Sequence, residues 1–382
     1  MANRLQAARK ARGWVQSRLV IEIERQRPLM GLPPVSRASL KTYVSEWENG
    51  RRPVGEDDRR VLRSIYGLTD EELFGETVDS NNVLDAAYAE LAQRIEESKS
   101  VDLGMIGTLA RQTELFRSWD RQMGAPSLAD QLSAHIATLE NALAYTVLPS
   151  ARCPVARVLS GAATLAGWQA LDVGGVDRAW RHYELARRAA AEAESPALMA
   201  HAMGEQAYVL IDAGKPDLAY ELIREAVGSA QEKAPKRVLS WLYAAEAEMA
   251  ATLGRPGASH AALDLAAENL PSGEGMRDPE VPGIFLNDTH LTRWRGNVRT
   301  LLGEPEAIGE LYTALEGIEA DGTFTRAEGS LRIDLAQGYI ACDKLGEARE
   351  QVRLARSLAS RTGSLRSRRR LDRLTLRISA DS

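Results

Sequence analysis

Ala207-Tyr-Val-Leu-Ile-Asp-Ala-Gly-Lys-Pro-Asp-Leu-Ala219 carries the pattern on which the fold turns. A small residue, Ala207, stands seven positions before Gly214; Ala219 stands five after it, and Ala226 twelve after it. The register recurs along the chain. Its turn position is filled by Gly174, Gly214, Gly254, Gly303 and Asp343, at separations of 40, 40, 49 and 40 residues. Seven before each turn stand Gly167, Ala207, Ala247, Gly296 and Ala336. Five after come Ala179, Ala219, Ser259, Ile308 and Ala348, and twelve after come Ala186, Ala226, Ala266, Leu315 and Ala355. Small side chains at fixed offsets let two antiparallel helices approach closely across a tight turn. The unit at Gly303 fits least well. Nine additional residues before it fall in the Pro- and Gly-rich segment 270–288, which is expected to be a loop.

Composition agrees with an all-α chain. Of 382 residues, 44% are hydrophobic, 26% charged and only 5% aromatic. Ala, Leu, Glu and Arg are abundant, and these lose little rotamer freedom in a helix. The length implies two or more domains. No apolar run approaches the ~20 residues of a membrane span, and the basic start MANRLQAARKARGW has no apolar stretch behind it, unlike a secretory signal. Cys153 and Cys342 are the only cysteines. They are expected to be reduced, buried small hydrophobes in a cytoplasmic protein. Net charge is −5, unevenly spread: residues 1–75 carry 14 basic and 10 acidic side chains, so the head is +4 and the remainder −9. A basic head on an acidic body suggests that the head meets a polyanion.

Four helical stretches are legible before residue 76. The first, over 3–12, carries Leu5 and Ala8 and ends at Gly13. The second, from 15 to 25, carries Leu19, Ile21 and Ile23 and is broken by Arg27-Pro28 through Pro33-Pro34. A third begins near Ser36 or Ser39 and runs through Leu40, Val44 and Trp47 to Asn49-Gly50; its apolar stripe leaves Lys41, Thr42, Ser45 and Glu46 off the core. The fourth, 55–66, points Val61, Leu62 and Ile65 inward.

Val44-Ser-Glu-Trp-Glu-Asn-Gly-Arg-Arg-Pro53, followed by Val61 through Thr69 and Glu71-Glu-Leu-Phe-Gly75, resembles the recognition helix, turn and closing helices of the Xre (phage-repressor-like) helix-turn-helix proteins. That resemblance implies that Ser39, Lys41, Thr42 and Ser45 lie along a helix that reads base edges in the major groove of double-stranded DNA. Glu46 would accept from a cytosine amino group or order Arg51. Gln16 matches a phosphate-clamping polar residue, Arg51 and Arg52 just past the helix add phosphate contacts, and Arg37 is a further phosphate candidate from the irregular link before it. In one respect the chain departs from the family: the link 26–35 exceeds a three- or four-residue turn. Such a domain is expected to act as a homodimer, since one recognition helix buries too little surface.

Between head and repeats, 76–82 is expected to be a linker. An amphipathic helix over 83–97 aligns Leu84, Ala87, Leu91 and Ile95, and helices over 103–123 and 127–148 flank Gly124-Ala-Pro126. Leu115 through Gly124 is similar to a segment joining such heads to helical repeats in actinobacterial regulators. The domains read as 1–78, a helical bridge or degenerate repeat over 79–150, and repeats with a capping helix over 151–382.

The repeat register resembles that of tetratricopeptide repeats over 155–362, with a period longer than the family's 34. Such pairs stack into a superhelix with a concave face. The first helix of each pair faces inward in this family, which implies a ligand-binding groove lined by Trp168, His201, Tyr208, Asp212, Trp241, Glu248, His290, Arg293, Asn297 and Gln337. The alternative for the tryptophans is packing between repeats, and for the histidines a structural hydrogen bond. The tail 361–378 holds seven arginines and one acid, Asp372, with a stripe of Leu365, Leu371, Leu374 and Ile378. It reads as a capping helix with a basic outer face, solvated or touching DNA backbone.

No phosphate-cradling loop, His-Glu-x-x-His helix, paired-cysteine spacing or nucleophile elbow is present, and the five histidines are scattered. No catalysis, cofactor or metal is expected. Together the two resemblances imply a DNA-binding transcriptional regulator, similar to peptide-sensing quorum regulators, whose repeats bind a signalling peptide or small molecule. The alternative is a tetratricopeptide scaffold, or a regulator controlled by a protein partner in the groove.

Overall fold

Capping residues place the helix ends, and the ends place everything else. The computed structural model describes residues 4–75, 80–99, 103–124, 126, 128–272, 278–322 and 324–380, and among these there is no β-strand element. The chain divides into two compact units, Met1–Arg94 and Ile95–Ser382. In the first lie α1 (Arg4–Ala11), α2 (Gln16–Leu29), α3 (Arg37–Glu48), α4 (Glu56–Tyr66) and α5 (Asp70–Phe74). The division falls inside α6 (Ser80–Lys99).

Ser36 caps α3 by accepting from the Ser39 amide at 3.1 Å, and Thr69 and Glu72 close a reciprocal capping box on α5. The apolar stripes converge on one core of Leu5, Leu19, Ile23, Leu40, Val44, Trp47, Leu62 and Leu73, each at most 2% exposed. Burying such side chains contributes about 1.5–3 kcal/mol each. Ile21, expected inside, is exposed, while Val20 is buried, because the helix turns that position outward. The second helix also outlasts its expected end. It continues through Pro28, whose missing donor falls in the last turn, where Arg27 is pinned by Asp58 and by the Pro33 carbonyl at 3.0 Å. The link before α3 therefore shrinks to residues 30–36.

Residues 80–82 of the expected linker already belong to α6, while 76–79 and the side chain of Leu84 lie outside the described residues; of the stripe expected on α6, Ala87 and Leu91 are exposed and Ile95 is half-buried.

The second unit contains α7 (Leu103–Met123), α8 (Ala129–Tyr145), α9 (Pro149–Asp172), α10 (Val176–Glu192), α11 (Pro196–Asp212), α12 (Pro216–Ala230), α13 (Lys236–Thr252), α14 (Pro256–Asn269), α15 (Asp288–Leu302), α16 (Ala307–Asp321), α17 (Thr325–Ala341), α18 (Leu345–Thr362) and α19 (Leu365–Ala380). From α9 to α18 they pair as consecutive helical hairpins. Every turn residue of the repeat register has positive φ, including Gly214 at 71° and the non-glycine Asp343 at 57°. The Gly214 turn is tied by Lys215 N donating to the Leu210 carbonyl at 2.8 Å, after which Pro216 starts α12 with φ already helical. The small residue before the turn serves close packing: a Cβ at Gly167 would stand 2.7 Å from the Tyr183 ring. Successive hairpins build a superhelical all-α repeat body.

The 270–288 insertion is a loop between α14 and α15 that returns to the core. Val281, Ile284 and Leu286 are buried among residues of α11, α13 and α15. The body also closes on itself. Arg326 of α17 donates to both oxygens of Asp120 on α7, at 2.8 and 3.0 Å, and stands 3.5 Å from Asp172 of α9. Ser364, just before α19, donates to Asp172 at 2.6 Å, and Gln169 to Asp120 at 3.0 Å. Burial pushes the Asp120 carboxyl up, opposed by the Arg326 guanidinium. The last helices thus meet the first ones across a buried polar cluster.

The expectation of two buried cysteines is corrected. Cys342 is exposed because it caps the end of α17, Cys153 is half-buried, and both are free thiols.

Candidate functional site

On the first unit, the buried stripe of α3 turns its remaining side chains to the surface. Lys41 and Thr42 are exposed, the Thr42 hydroxyl donating back to the Ala38 carbonyl at 3.3 Å; Ser39, Ser45 and Glu46 are half-buried. Arg51 and Arg52 are exposed beyond the helix. The Glu46 carboxylate stands 3.6 Å from Arg52, whose guanidinium lies 4.0 Å from the Tyr43 ring centre, while the Arg51 backbone N–H donates to the Glu46 carbonyl at 2.9 Å. Arg37 corrects an expectation: it lies in the first turn of α3, not in the link, and pairs with Glu24 at 2.5 Å. Gln16 is exposed but committed, donating at 2.8 Å to Glu48. That carboxylate also receives Arg9 at 2.6 and 2.8 Å. Burial alone would raise Glu48; the hydrogen bonds from Arg9 and Gln16 hold it below the ordinary carboxylate range. This buried pair joins α1 to the end of α3 and fixes where the exposed edge points.

In the second unit the repeats line a half-open cavity of about 690 Å³. Trp168, Tyr208, Asp212, Trp241, Glu248, Arg293, Asn297 and Gln337 line it, brought together from α9, α11, α13, α15 and α17. His201 and His290 do not. His201 is covered by the inserted loop, where Gly283 sits so close that a Cβ would stand 3.0 Å from the imidazole, and it packs edge-on against Trp241 at 5.1 Å. His290 is turned to the Asn287 side chain at 2.7 Å and to Phe324; burial pushes its pKa down to about 4. Both histidines are buried structural residues.

Tyr208 donates to Glu248 at 2.8 Å, and burial pushes that carboxyl above its ordinary range. Trp241 and Trp294 meet at 5.9 Å between ring centres. Trp168 is half-buried between the guanidiniums of Arg326 and Arg366, at 5.7 and 5.8 Å. The lining therefore mixes stacking surface with charge, a combination suited to a ligand that is neither wholly apolar nor wholly ionic.

Sequence reasoning missed the wall that α19 supplies. Arg366, Arg369, Arg370 and Arg373 of α19 line the cavity, so the tail's basic face points inward rather than forming only an outer surface. Arg366 forks onto Asp212 at 2.8 and 3.0 Å, and Arg370 reaches Asp334 at 2.5 Å. Leu371, Leu374 and Ile378 are buried on the opposite side. The signal was the spacing i, i+3, i+4, i+7, which marks one helix face whatever residue occupies it.

Neither a family model nor a curated protein matches the sequence. Solved structures similar to the chain include BtubC (BKLC) from P. vanneervenii, 16% identical over 62% of this chain and 91% of that one, with a TM-score of 0.43. A Podosopora anserina kinesin light chain with nearly identical TPR-like repeats is 15% identical over 55% of this chain and 97% of its own, with a TM-score of 0.35. Rap protein complexed with Competence and Sporulation Factor is 12% identical over 91% of this chain and 98% of that one, with a TM-score of 0.45. The all-α repeat fold class rests on the chain's own helices and turns.

Proposed function

We propose that the chain is a sequence-specific DNA-binding transcriptional regulator of the cytoplasm. In this reading the first unit is an Xre-type helix-turn-helix head and the repeat cavity is its effector site. The observation that carries the reading is the division of α3: Leu40, Val44 and Trp47 are buried while Lys41 and Thr42 are exposed, the arrangement a major-groove helix requires. Arg51 and Arg52 supply phosphate contacts that fix register. The effector is a signalling peptide or small molecule, and its binding changes duplex affinity to the extent that it prefers one conformation over another. The regulator acts as a homodimer, for which Tyr88 and Leu91 of α6, 69% and 47% exposed, offer apolar contact. We assign it no catalytic activity.

A gel-shift assay of the full chain on genomic fragments flanking its own gene tests the reading. We expect sequence-selective retardation that Lys41→Ala/Thr42→Ala abolishes. Retardation unchanged by that double variant removes the recognition-helix assignment, and no retardation leaves the repeats as a protein-binding scaffold.

A further inference from the structure

We infer that the cavity's ligand is a small organic anion: a carboxylate or phosphate joined to an apolar or aromatic part, gripped by Arg369 and Arg373. The inference rests on the cavity being the effector site and adds the chemistry of what fills it.

Charge is the first argument. Five arginines line the cavity against three acids, Glu205, Asp212 and Glu248. Arg366 is committed to Asp212 and Arg370 to Asp334. Arg369 and Arg373 line the same cavity, remain exposed, and form no ion pair among the described residues. They stand four apart on one face of α19, where like charges repel, and an anion between them converts that repulsion into two charge-assisted contacts. The excess cation is therefore placed, not merely present.

Unmet hydrogen bonds are the second argument. Arg293 Nε and Asn297 Oδ1, one donor and one acceptor a helical turn apart on α15, are buried at the cavity wall with no partner. Leaving such groups unmade is costly, so the ligand is expected to carry an acceptor and a donor of its own, as an amide does.

Shape and surface complete the class. Half-buried Trp168 offers a stacking face, and Tyr208, Trp241 and Trp294, packed into the core at 7–9% exposure, supply aromatic wall to a cavity whose volume lies in the range of small-molecule sites. A purely inorganic anion would leave that aromatic surface unused, and a neutral aromatic would leave Arg369 and Arg373 unpaired.

The test uses two dyes on the full chain, 8-anilinonaphthalene-1-sulfonate and its uncharged counterpart N-phenyl-1-naphthylamine, which lacks the sulfonate. We expect the sulfonate to bind the unaltered chain at least about tenfold more tightly than the neutral dye. Arg369→Ala/Arg373→Ala should erase that preference while leaving neutral-dye binding in place. Arg368→Ala/Arg377→Ala, which removes the same charge from exposed arginines outside the cavity lining, should change neither. Equal affinity for both dyes, or sulfonate binding indifferent to Arg369→Ala/Arg373→Ala, overturns the anion assignment but leaves the cavity as a site. If Trp168→Ala, helical by circular dichroism, alters neither dye, the cavity is not the site and both readings fall together.

Discussion

The head and the repeat body use arginine in opposite ways. In the head, Arg9 reaches Glu48 across only 39 residues, and that local tie holds an edge whose own cations, Arg51 and Arg52, face solvent. In the body, Arg326 reaches Asp120 across 206 residues and Arg366 reaches Asp212 across 154, and these ties hold a cavity with cations turned inward. A buried ion pair adds little net stability over an apolar substitute, but losing one partner strands the other charge. The contrast teaches that the head is built to present a surface and the body to enclose a space.

Breaking the long tie should have the largest effect. Arg326→Ala strands Asp120 and Asp172, and we expect the body to lose about 3–5 kcal/mol, read as a lowered urea midpoint for the body while the head's transition stays in place. An unchanged midpoint would mean that packing alone closes the superhelix.

The head's local tie should matter less. Glu48→Gln keeps the shape but loses charged hydrogen bonds, at a cost of about 1.5–3 kcal/mol. The sign with pH follows from a folded pKa held below the unfolded value. The pair's contribution is present above pH 4.5 and fades as pH falls through the folded value. Acid unfolding of the head should therefore flatten in the variant, and an identical acid limb would contradict the assignment.

His290 gives the body its own acid limb, with a different cause. Burial, assisted by Arg293 and opposed by Asp321, sets its folded pKa near 4 against 6.5 unfolded. The unfolded chain takes up the proton first, so stability should fall by up to about 1.4 kcal/mol per pH unit between 6.5 and 4. His290→Gln should remove that slope from chemical unfolding measured across the window; a slope that persists would place its origin elsewhere.

How much of this contrast was legible in the sequence depended on range. Local signals were read well: the Leu40, Val44 and Trp47 stripe is buried, and the five turn positions have positive φ. Eight of the ten residues placed by repeat offset line the cavity, because helical period carries from one hairpin to the next. His201 and His290 are buried away from its lining, His201 beneath the inserted loop at Gly283 and His290 against Asn287 and Phe324. The α19 wall was legible only as one arginine-bearing helix face; that this face meets the cavity was not, since α19 reaches it only after the superhelix closes, through contacts such as Ser364 to Asp172 across 192 residues that no local pattern encodes.

The smallest change in stability, and a large one in binding, is expected at the exposed arginines. Arg51→Ala/Arg52→Ala should leave unfolding within about 0.5 kcal/mol while reducing the salt dependence of duplex affinity by about two units of log–log slope. Equal slopes would remove both from the phosphate contacts.

The most direct measurement is an arginine-modification footprint: phenylglyoxal labelling of the full chain with and without genomic duplex, read by mass spectrometry. Duplex should slow labelling of Arg51 and Arg52 and leave Arg369 and Arg373 reacting at their DNA-free rate. Protection of the α19 arginines with Arg51 and Arg52 unaffected would show that the nucleic acid meets the wrong face, and the division between outward head and inward body would not stand.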